Sequence, residues 1–242
     1  MAPISASKQY SAGLFFYRRN RAMAGQKSPD FSQIPNTAIK VITNPVGFYR
    51  DMPKSGGFLE PLVFAVAMAL VAALVGIVLS FMGLGATGMM AAGMIAIIVV
   101  PIAVVIGSFI GAGILYLIWM IMGSKESYET AFRCIAYMTA ISPITALVGA
   151  MPYLGTIISV VWGTFLLVTA SIEVHKVKAQ TVYIVFGILG LLVLAYNLKS
   201  EYMLRSFQST IGNIGQMTPE EAGKAAAEFM RGLDQNQGNQ GR

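Results

Sequence analysis

The stretch "LVFAVAMALVAALVGIVLSFM", Leu62–Met82, contains no charged side chain. An α-helix rises about 1.5 Å per residue, so about 20 apolar residues cross a hydrocarbon layer about 30 Å thick. Peptide groups in lipid need hydrogen-bond partners within the protein, and a helix supplies them within one segment. The stretch therefore predicts a membrane-spanning helix.

The composition extends this prediction to the whole chain. Of 242 residues, 55% are hydrophobic and 12% are charged, with a mean hydropathy of +0.65, whereas soluble domains carry about 25% charged residues. The single cysteine, Cys134, and the single histidine, His175, exclude an intrachain disulfide and the usual clusters of metal ligands. We expect an all-α polytopic membrane protein that is not an enzyme and has no catalytic residues, metal or cofactor.

Five apolar segments predict five transmembrane helices, at 62–82, 89–122, 131–150, 154–172 and 180–198. The second segment would measure on the order of 50 Å as one helix, too long for a perpendicular crossing. Two interpretations stay open. Either Met89–Val100 is interfacial or re-entrant and Pro101 is the joint before the span, or one tilted helix is kinked at Pro101. Both cross the membrane once.

The positive charges predict the orientation, because lysine and arginine are enriched in cytoplasmic segments near the spans. With five spans, one side carries Lys8, Arg18, Arg19, Arg21, Lys27, Lys40, Arg50, Lys54, Lys125, Arg133, Lys176 and Lys178, and the opposite loops "GLGATG" and "MPY" carry neither residue type. We therefore expect a cytoplasmic N-terminus and a C-terminus outside, in a bacterial cytoplasmic membrane.

The regions that flank the membrane domain 61–198 are polar. In the basic region 1–60, Arg18, Arg19 and Arg21 follow aromatic residues, which predicts contact with anionic headgroups and not with nucleic acid. Two short helices are expected near Asn44, which would cap the second helix with Pro45 in its first position. The tail 199–242 is predicted to contain an amphipathic helix, 219–233, and a disordered end.

A polar interruption separates the second and third spans in "MGSKESYETAFRCIAYMTAISP", Met122–Pro143. The loop before the last span lies on the same predicted side, so the two loops and the basic N-terminal region would form one cytoplasmic surface. Arg133 is close enough to the end of its span to snorkel to the headgroups. The candidate interaction surface consists of Tyr128, Glu129, Arg133, Glu173, His175 and Lys178.

Two further groups of residues lie inside the spans. The small residues of "GSFIGAG" form a candidate helix-packing face, either within the chain or between two copies, made of Gly107, Ser108, Gly111 and Ala112. Interhelical hydrogen bonding at a kink, or the lining of a cavity, is the candidate role of Pro101, Tyr137, Thr139, Ser142 and Pro143.

The polar interruption resembles the Gly…(Ser/Thr/Tyr)…Thr-Phe-Arg…Ala-Tyr…Pro pattern of Yip-domain proteins, the Ypt/Rab-interacting membrane proteins. Further similarity lies in "NPVGFYRDMP", "MPYLGTIISVVW" and "ASIEVHKVKAQ", so the resemblance covers about residues 44–198. The matching positions are Gly123, Tyr128, Thr130, Phe132, Arg133, Tyr137, Pro143, Pro152, Gly155, Trp162, Glu173, His175 and Lys178. The compact chain looks like a prokaryotic member.

The resemblance implies five spans and a cytoplasmic N-terminus. In eukaryotic members it also implies binding of prenylated small GTPases and roles in vesicle budding or membrane shaping. Our hypothesis is a non-catalytic membrane adaptor or organiser whose cytoplasmic loops engage a protein partner or shape the membrane, with homo-oligomerisation left open. The alternative is a small permease or lipid-handling protein.

Overall fold

The computed structural model describes residues 31–84 and 90–216, together with residues 223, 224 and 227. These residues form helices, turns and connecting segments, and no strand occurs among them. The predicted headgroup contacts of Arg18, Arg19 and Arg21 lie outside the described residues. So do the disordered end and nearly all of the predicted helix 219–233.

The described part of the chain contains α1 Ile34–Thr43, α2 Pro45–Asp51, α3 Leu59–Phe81, α4 Met90–Ile121, α5 Tyr128–Met138, α6 Ser142–Val148, α7 Leu154–Glu173 and α8 Ala179–Gln216. Five segments are long and apolar enough to cross a membrane, at Leu59–Phe81, Ile97–Ile121, Tyr128–Val148, Leu154–Glu173 and Ala179–Phe207. The prediction of an all-α protein with five membrane-spanning helices is confirmed.

The two short N-terminal helices, α1 and α2, meet at Asn44. The Asn44 side chain accepts a hydrogen bond of 3.0 Å from the backbone N–H of Gly47, and Pro45 occupies the first turn of α2. A proline costs nothing there because its missing N–H would have no partner in the helix. The predicted cap is confirmed.

Helix α4 runs without interruption from Met90 to Ile121 and contains Pro101 in its interior. The helix has no break at Pro101, as the second of the two sequence interpretations expects, and the position of Met89–Val100 relative to the membrane stays a prediction. The part Ile97–Ile121 is by itself long and apolar enough to cross a bilayer.

The third span is broken in its middle. A 3₁₀ turn, Thr139–Ile141, separates α5 from α6, and Pro143 lies in the first turn of α6. The Thr139 hydroxyl donates a hydrogen bond of 2.6 Å to the carbonyl oxygen of Ala136, which gives that group a partner beside the break. The predicted distortion near Pro143 is present, and the carbonyl of Thr139 accepts a hydrogen bond from the backbone N–H of Ser142.

The N-terminal helices pack on the bundle. Helix α1 contacts α5 and the 3₁₀ turn, whereas α2 contacts α7. The core contains large, fully buried side chains from several helices, among them Tyr49, Trp119, Phe132, Leu166 and Phe186. A second, smaller cluster consists of Ala65, Ala112, Phe132 and Ala136, where small residues let α3, α4 and α5 approach closely.

The predicted helix-packing face of α4 is divided in two. Ser108 and Ala112 are buried. A Cβ atom added to Gly107 or Gly111 would meet no described atom within 4 Å. Packing within the chain therefore uses the serine and the alanine, and a role of the two glycines between copies stays a prediction.

The chain divides after Leu194 into two compact units. The first unit contains α1 to α7 and the first part of α8. The second unit begins within α8 at Ala195 and includes an ion pair of 2.7 Å between Arg205 and Glu201, one helical turn apart. Helix α8 continues to Gln216, past residue 198, where the sequence predicts the last span to end.

Candidate functional site

Three non-helical segments meet at one end of the bundle, which we call the connector end. They are the connector Met52–Phe58 between α2 and α3, the loop Met122–Ser127 and the loop Val174–Lys178. Lys54 of the connector forms an ion pair with Glu126 of the first loop, and Ser124 of that loop contacts His175 of the second. Most of the predicted interaction residues lie at this end.

The polar residues around the start of α5 hold the connector. The Lys54 ammonium lies 2.6 Å from Glu126 Oε1, and the backbone N–H of Gly57 donates a hydrogen bond of 2.7 Å to Glu129 Oε1. The Thr130 hydroxyl donates to the backbone carbonyl of Lys54 over 3.0 Å. The polar interruption of the sequence therefore fixes the entry into the first span.

The connector has a backbone shape that glycine permits. Gly56 and Gly57 have φ angles of +129° and +87°. Side chains disfavour these values because the Cβ atom crowds the backbone, whereas glycine adopts them at little cost. The turn directs the Gly57 carbonyl towards Arg133, whose Nη1 donates a hydrogen bond of 3.0 Å to it.

Arg133 is buried, with 1% of its surface exposed, so the prediction that it snorkels to the headgroups is wrong. Its Nη2 lies 3.4 Å from Glu60 Oε2, and its Cζ lies 5.9 Å from the ring centre of Tyr137. Its Nε has no hydrogen-bond partner among the described residues. A buried cation is costly unless it is paired, so this guanidinium needs the Gly57 carbonyl and the Glu60 carboxylate.

His175 occupies a second buried polar cluster beneath the two loops. Its ring stacks on Trp119 with 3.8 Å between ring centres and 18° between planes. Its Nδ1 lies 2.9 Å from Ser124 Oγ, and its Nε2 lies 3.9 Å from Cys134 Sγ. Trp119 Nε1 in turn donates a hydrogen bond of 2.8 Å to Ser171 Oγ. These contacts join α4, α5, α7 and both loops.

Burial determines the charge of His175. Loss of water around the ring, followed by the positive charge of Lys54, lowers the pKa of His175 to about 4. The imidazole is therefore neutral near pH 7. It is also only 4% exposed, so it cannot serve directly as a contact on the surface.

This cluster contains the hydroxyl of Ser124, the imidazole of His175 and the thiol of Cys134. A nucleophile must reach its substrate, whereas Cys134 is fully buried and His175 is nearly so. Among the described residues, no group of three or more histidine, cysteine or carboxylate side chains could hold a metal ion. The arrangement holds helices together.

A bidentate ion pair attaches α2 to the end of α7. Arg50 Nε and Nη2 each lie 3.1 Å from one oxygen of the Glu173 carboxylate, and the pKa of Arg50 is raised mainly by this hydrogen bonding. Lys176 lies 4.0 Å from the same carboxylate. On the buried side of α2, the Tyr49 hydroxyl donates to the Cys134 carbonyl over 3.4 Å. The pair fixes α2 at the residue where α7 ends.

The six predicted interaction residues therefore have different positions. Arg133 and His175 lie beneath the surface, Glu129 and Glu173 are engaged within the chain, and Lys178 is exposed. Tyr128 is half-buried and donates a hydrogen bond of 2.9 Å to the carbonyl of Phe109 in α4.

Sequence reasoning predicted no contact for several residues that hold the connector end: Lys54, Gly57, Glu60, Trp119 and Ser124. The pattern "PKSGG", Pro53–Gly57, between two predicted helices was the available signal, because it is typical of a tight turn. It could not have identified the partners, which are distant in sequence.

One of the predicted kink or cavity residues, Tyr137, lines a small cavity near the N-terminal helices. Tyr137 lines a cavity of about 30 Å³ together with Thr37, Glu60 and Phe64. This volume holds about one water molecule. The lining includes none of Pro101, Thr139, Ser142 and Pro143.

The five apolar helices and their buried connections define a polytopic α-helical integral membrane protein. The family model of the Yip1 domain matches residues 39–197, more than half of the chain. The chain belongs to the Yip1-domain family, and the resemblance recognised in the sequence is confirmed. No curated protein and no solved structure shows a significant match. The family match and the five apolar helices together indicate a role at the membrane.

Proposed function

We propose that the chain is a membrane adaptor or organiser whose connector end faces the cytoplasm and binds a protein partner. The proposal rests on a difference between the charged residues at this end: the glutamates have partners within the chain, whereas lysines on both loops are exposed. Glu60, Glu126, Glu129 and Glu173 all contact partners within the chain. Exposed lysines remain on both loops for an acidic partner.

The basic residues of the proposed surface are Lys125, Lys176 and Lys178. All three are exposed, and neither Lys125 nor Lys178 forms an ion pair with a described residue. Lys125 follows Ser124 and Lys176 follows His175, so the contact of 2.9 Å between Ser124 and His175 keeps the two loops together. A fixed arrangement of charges loses less entropy on binding than flexible loops would.

The backbone at Lys176 supports a role for its side chain. Lys176 has a φ angle of +54°, in the left-handed region that glycine occupies more readily. A lysine in this conformation costs about 1 kcal/mol or more. We infer that this backbone conformation positions the Lys176 side chain on the proposed surface.

The cytoplasmic assignment rests on the positive-inside rule, which favours the lysine-rich end. In this proposal the buried residues Arg133 and His175 hold the connector and the loops in position. Lys125, Lys176 and Lys178 contact the partner. A bacterial cytoplasmic membrane is part of the same proposal, as is contact of the basic N-terminal region with anionic lipid.

The test is crosslinking in the native host followed by affinity purification of the full chain. We expect one stoichiometric protein to be captured by the wild type and lost in Lys125→Glu/Lys176→Glu/Lys178→Glu. The matched control, Lys199→Glu, reverses an exposed lysine on α8 and should retain it. Thermal unfolding of each variant excludes loss of folding. Equal capture by the wild type and a folded triple variant would refute the proposal.

A second candidate function, lipid handling, is favoured by an apolar groove of about 210 Å³ within the spans. Met138 of α5, Thr164 of α7 and Gly190 of α8 contribute to its lining. An acyl chain fits this chemistry because the lining is almost entirely hydrocarbon. Gly163 also lines the groove, and Gly163→Leu would fill it. Loss of a copurifying lipid in a folded Gly163→Leu variant would support this function, and unchanged lipid content would count against it.

A further inference from the structure

A groove with both polar and apolar lining lies on the N-terminal helices, between α1 and α2. It has a volume of about 350 Å³ and is lined by Thr37 and Lys40 of α1, Asn44, and Phe48 and Asp51 of α2, among others. A water molecule occupies about 30 Å³ of the liquid, so the groove has room for about a dozen waters. It is therefore large enough for a polar organic group.

The groove contains one cation and one anion that are not paired with each other. Lys40 and Asp51 are both exposed, and neither forms an ion pair with a described residue. Arg50, next to Asp51 in sequence, directs its guanidinium to Glu173. The groove thus presents opposite charges at two separate positions.

The surroundings place the groove near the membrane surface. Arg50 binds Glu173, the last residue of the α7 span, so the Asp51 end of α2 lies at the level where an apolar segment ends. The same helical pair exposes apolar side chains, with Ile39 57% and Val46 39% exposed. Exposed apolar residues beside charged ones are typical of segments at the lipid interface.

We propose that this groove binds the headgroup of a phospholipid of the phosphatidylethanolamine type. The Lys40 ammonium donates to the anionic phosphate, and the Asp51 carboxylate accepts hydrogen bonds from the primary ammonium of the lipid. Hydrogen bonds between charged groups are stronger than neutral ones. Phosphatidylcholine carries a trimethylammonium group without N–H donors, so it cannot make the bonds to Asp51. Phosphatidylglycerol carries no cation for Asp51.

The inference is independent of the proposed protein partner, because the groove and the loop lysines are different residues. Its test uses the full chain in nanodiscs that contain equal amounts of phosphatidylethanolamine and phosphatidylcholine. Native mass spectrometry, after release in mild detergent, counts the retained lipids. We expect the wild type to retain about three- to tenfold more phosphatidylethanolamine than phosphatidylcholine, equivalent to roughly one hydrogen bond of ordinary net strength at a solvent-exposed site.

Two variants separate the two halves of the site. Asp51→Asn should lower the ratio of the two lipids towards one while some lipid stays bound, because the ammonium loses its anionic acceptor and the neutral amide oxygen that replaces it accepts more weakly. Lys40→Ala should lower retention of both lipids severalfold, because both contain the phosphate. Lys199→Ala, which removes an exposed lysine on α8 outside both proposed sites, is the control and should behave as the wild type.

The proposal would be overturned if the wild type retained both lipids equally. It would also be overturned if Asp51→Asn kept the full preference for phosphatidylethanolamine over phosphatidylcholine. Soluble phosphoethanolamine distinguishes the lipid from the free headgroup. In tenfold excess it should leave most of the lipid bound, since the glycerol and acyl chains add affinity for the intact lipid. Complete displacement would overturn the lipid assignment.

Discussion

The ion pair between Arg133 and Glu60 provides the strongest test of the connector end, because its two members differ in exposure. Arg133 is 1% exposed, whereas the Glu60 side chain is 60% exposed. The perturbation is a double-mutant cycle made of Glu60→Gln, Arg133→Met and the double variant. Both substitutions keep the approximate size of the side chain and remove its charge.

The expected changes in the free energy of unfolding follow from the exposure of the two side chains. Glu60→Gln leaves a buried cation without its carboxylate, and removal of one partner from a fully buried pair costs about 3–5 kcal/mol. Because Glu60 is largely exposed and screened by water, we expect about 1–2 kcal/mol here. Arg133→Met removes the donor to the Gly57 carbonyl, which costs about 1–3 kcal/mol. Methionine at 133 needs no counter-charge, so the double variant should be about as stable as Arg133→Met alone.

The assay is thermal unfolding in detergent micelles, followed by tryptophan fluorescence. For a chain of this size, 1 kcal/mol corresponds to about 2–4 °C in Tm. The expected coupling between the two sites is about 1–2 kcal/mol. The control cycle, Lys54→Met with Glu126→Gln, removes a pair whose side chains are 44% and 24% exposed and should change stability by less than about 1 kcal/mol. Additive effects of Glu60→Gln and Arg133→Met would refute the reasoning.

Two further predictions concern His175 and Gly155. The pKa of His175 is about 4 in the folded chain and 6.5 in the unfolded reference, so the unfolded chain binds more protons between these two pH values. The free energy of unfolding therefore falls as the pH decreases through this range. His175→Gln should remove this pH dependence, measured by Trp119 fluorescence, and an unchanged slope would contradict the assignment. Gly155→Ala should cost about 1–3 kcal/mol, because its Cβ would overlap the Val148 carbonyl, whereas Gly163→Ala, where a Cβ meets no described atom within 4 Å, should have little effect on Tm. Equal melting temperatures of these two variants would contradict the close approach of α6 and α7.

Much of the fold was predictable because lipid allows few solutions for the backbone. Long apolar segments must be helical, and their number and approximate position follow from hydropathy. The cap at Asn44 and the distortion near Pro143 were predictable for a similar reason, since each depends on residues adjacent in sequence. The uninterrupted course of α4 through Pro101 was not predictable from the sequence, because neighbouring helices decide whether a proline interrupts a long helix.

The candidate site was predictable only as a list of polar residues. The sequence placed Tyr128, Glu129 and Arg133 near the end of a span, and it suggested that all three face a partner. In the structure Arg133 is buried instead and binds Gly57 and Glu60. A pattern of hydropathy does not tell whether a charge near the end of a span reaches water or a partner within the protein.

By itself, the sequence determined that the chain is a five-span helical membrane protein with a Yip1-domain pattern. The reason is local, since hydrophobicity, helix caps and prolines act within a few residues. Only the tertiary structure decided which polar groups meet, such as Lys54 with Glu126 and Arg50 with Glu173. These pairs join residues that are distant in the chain, and packing of the helices brings them together.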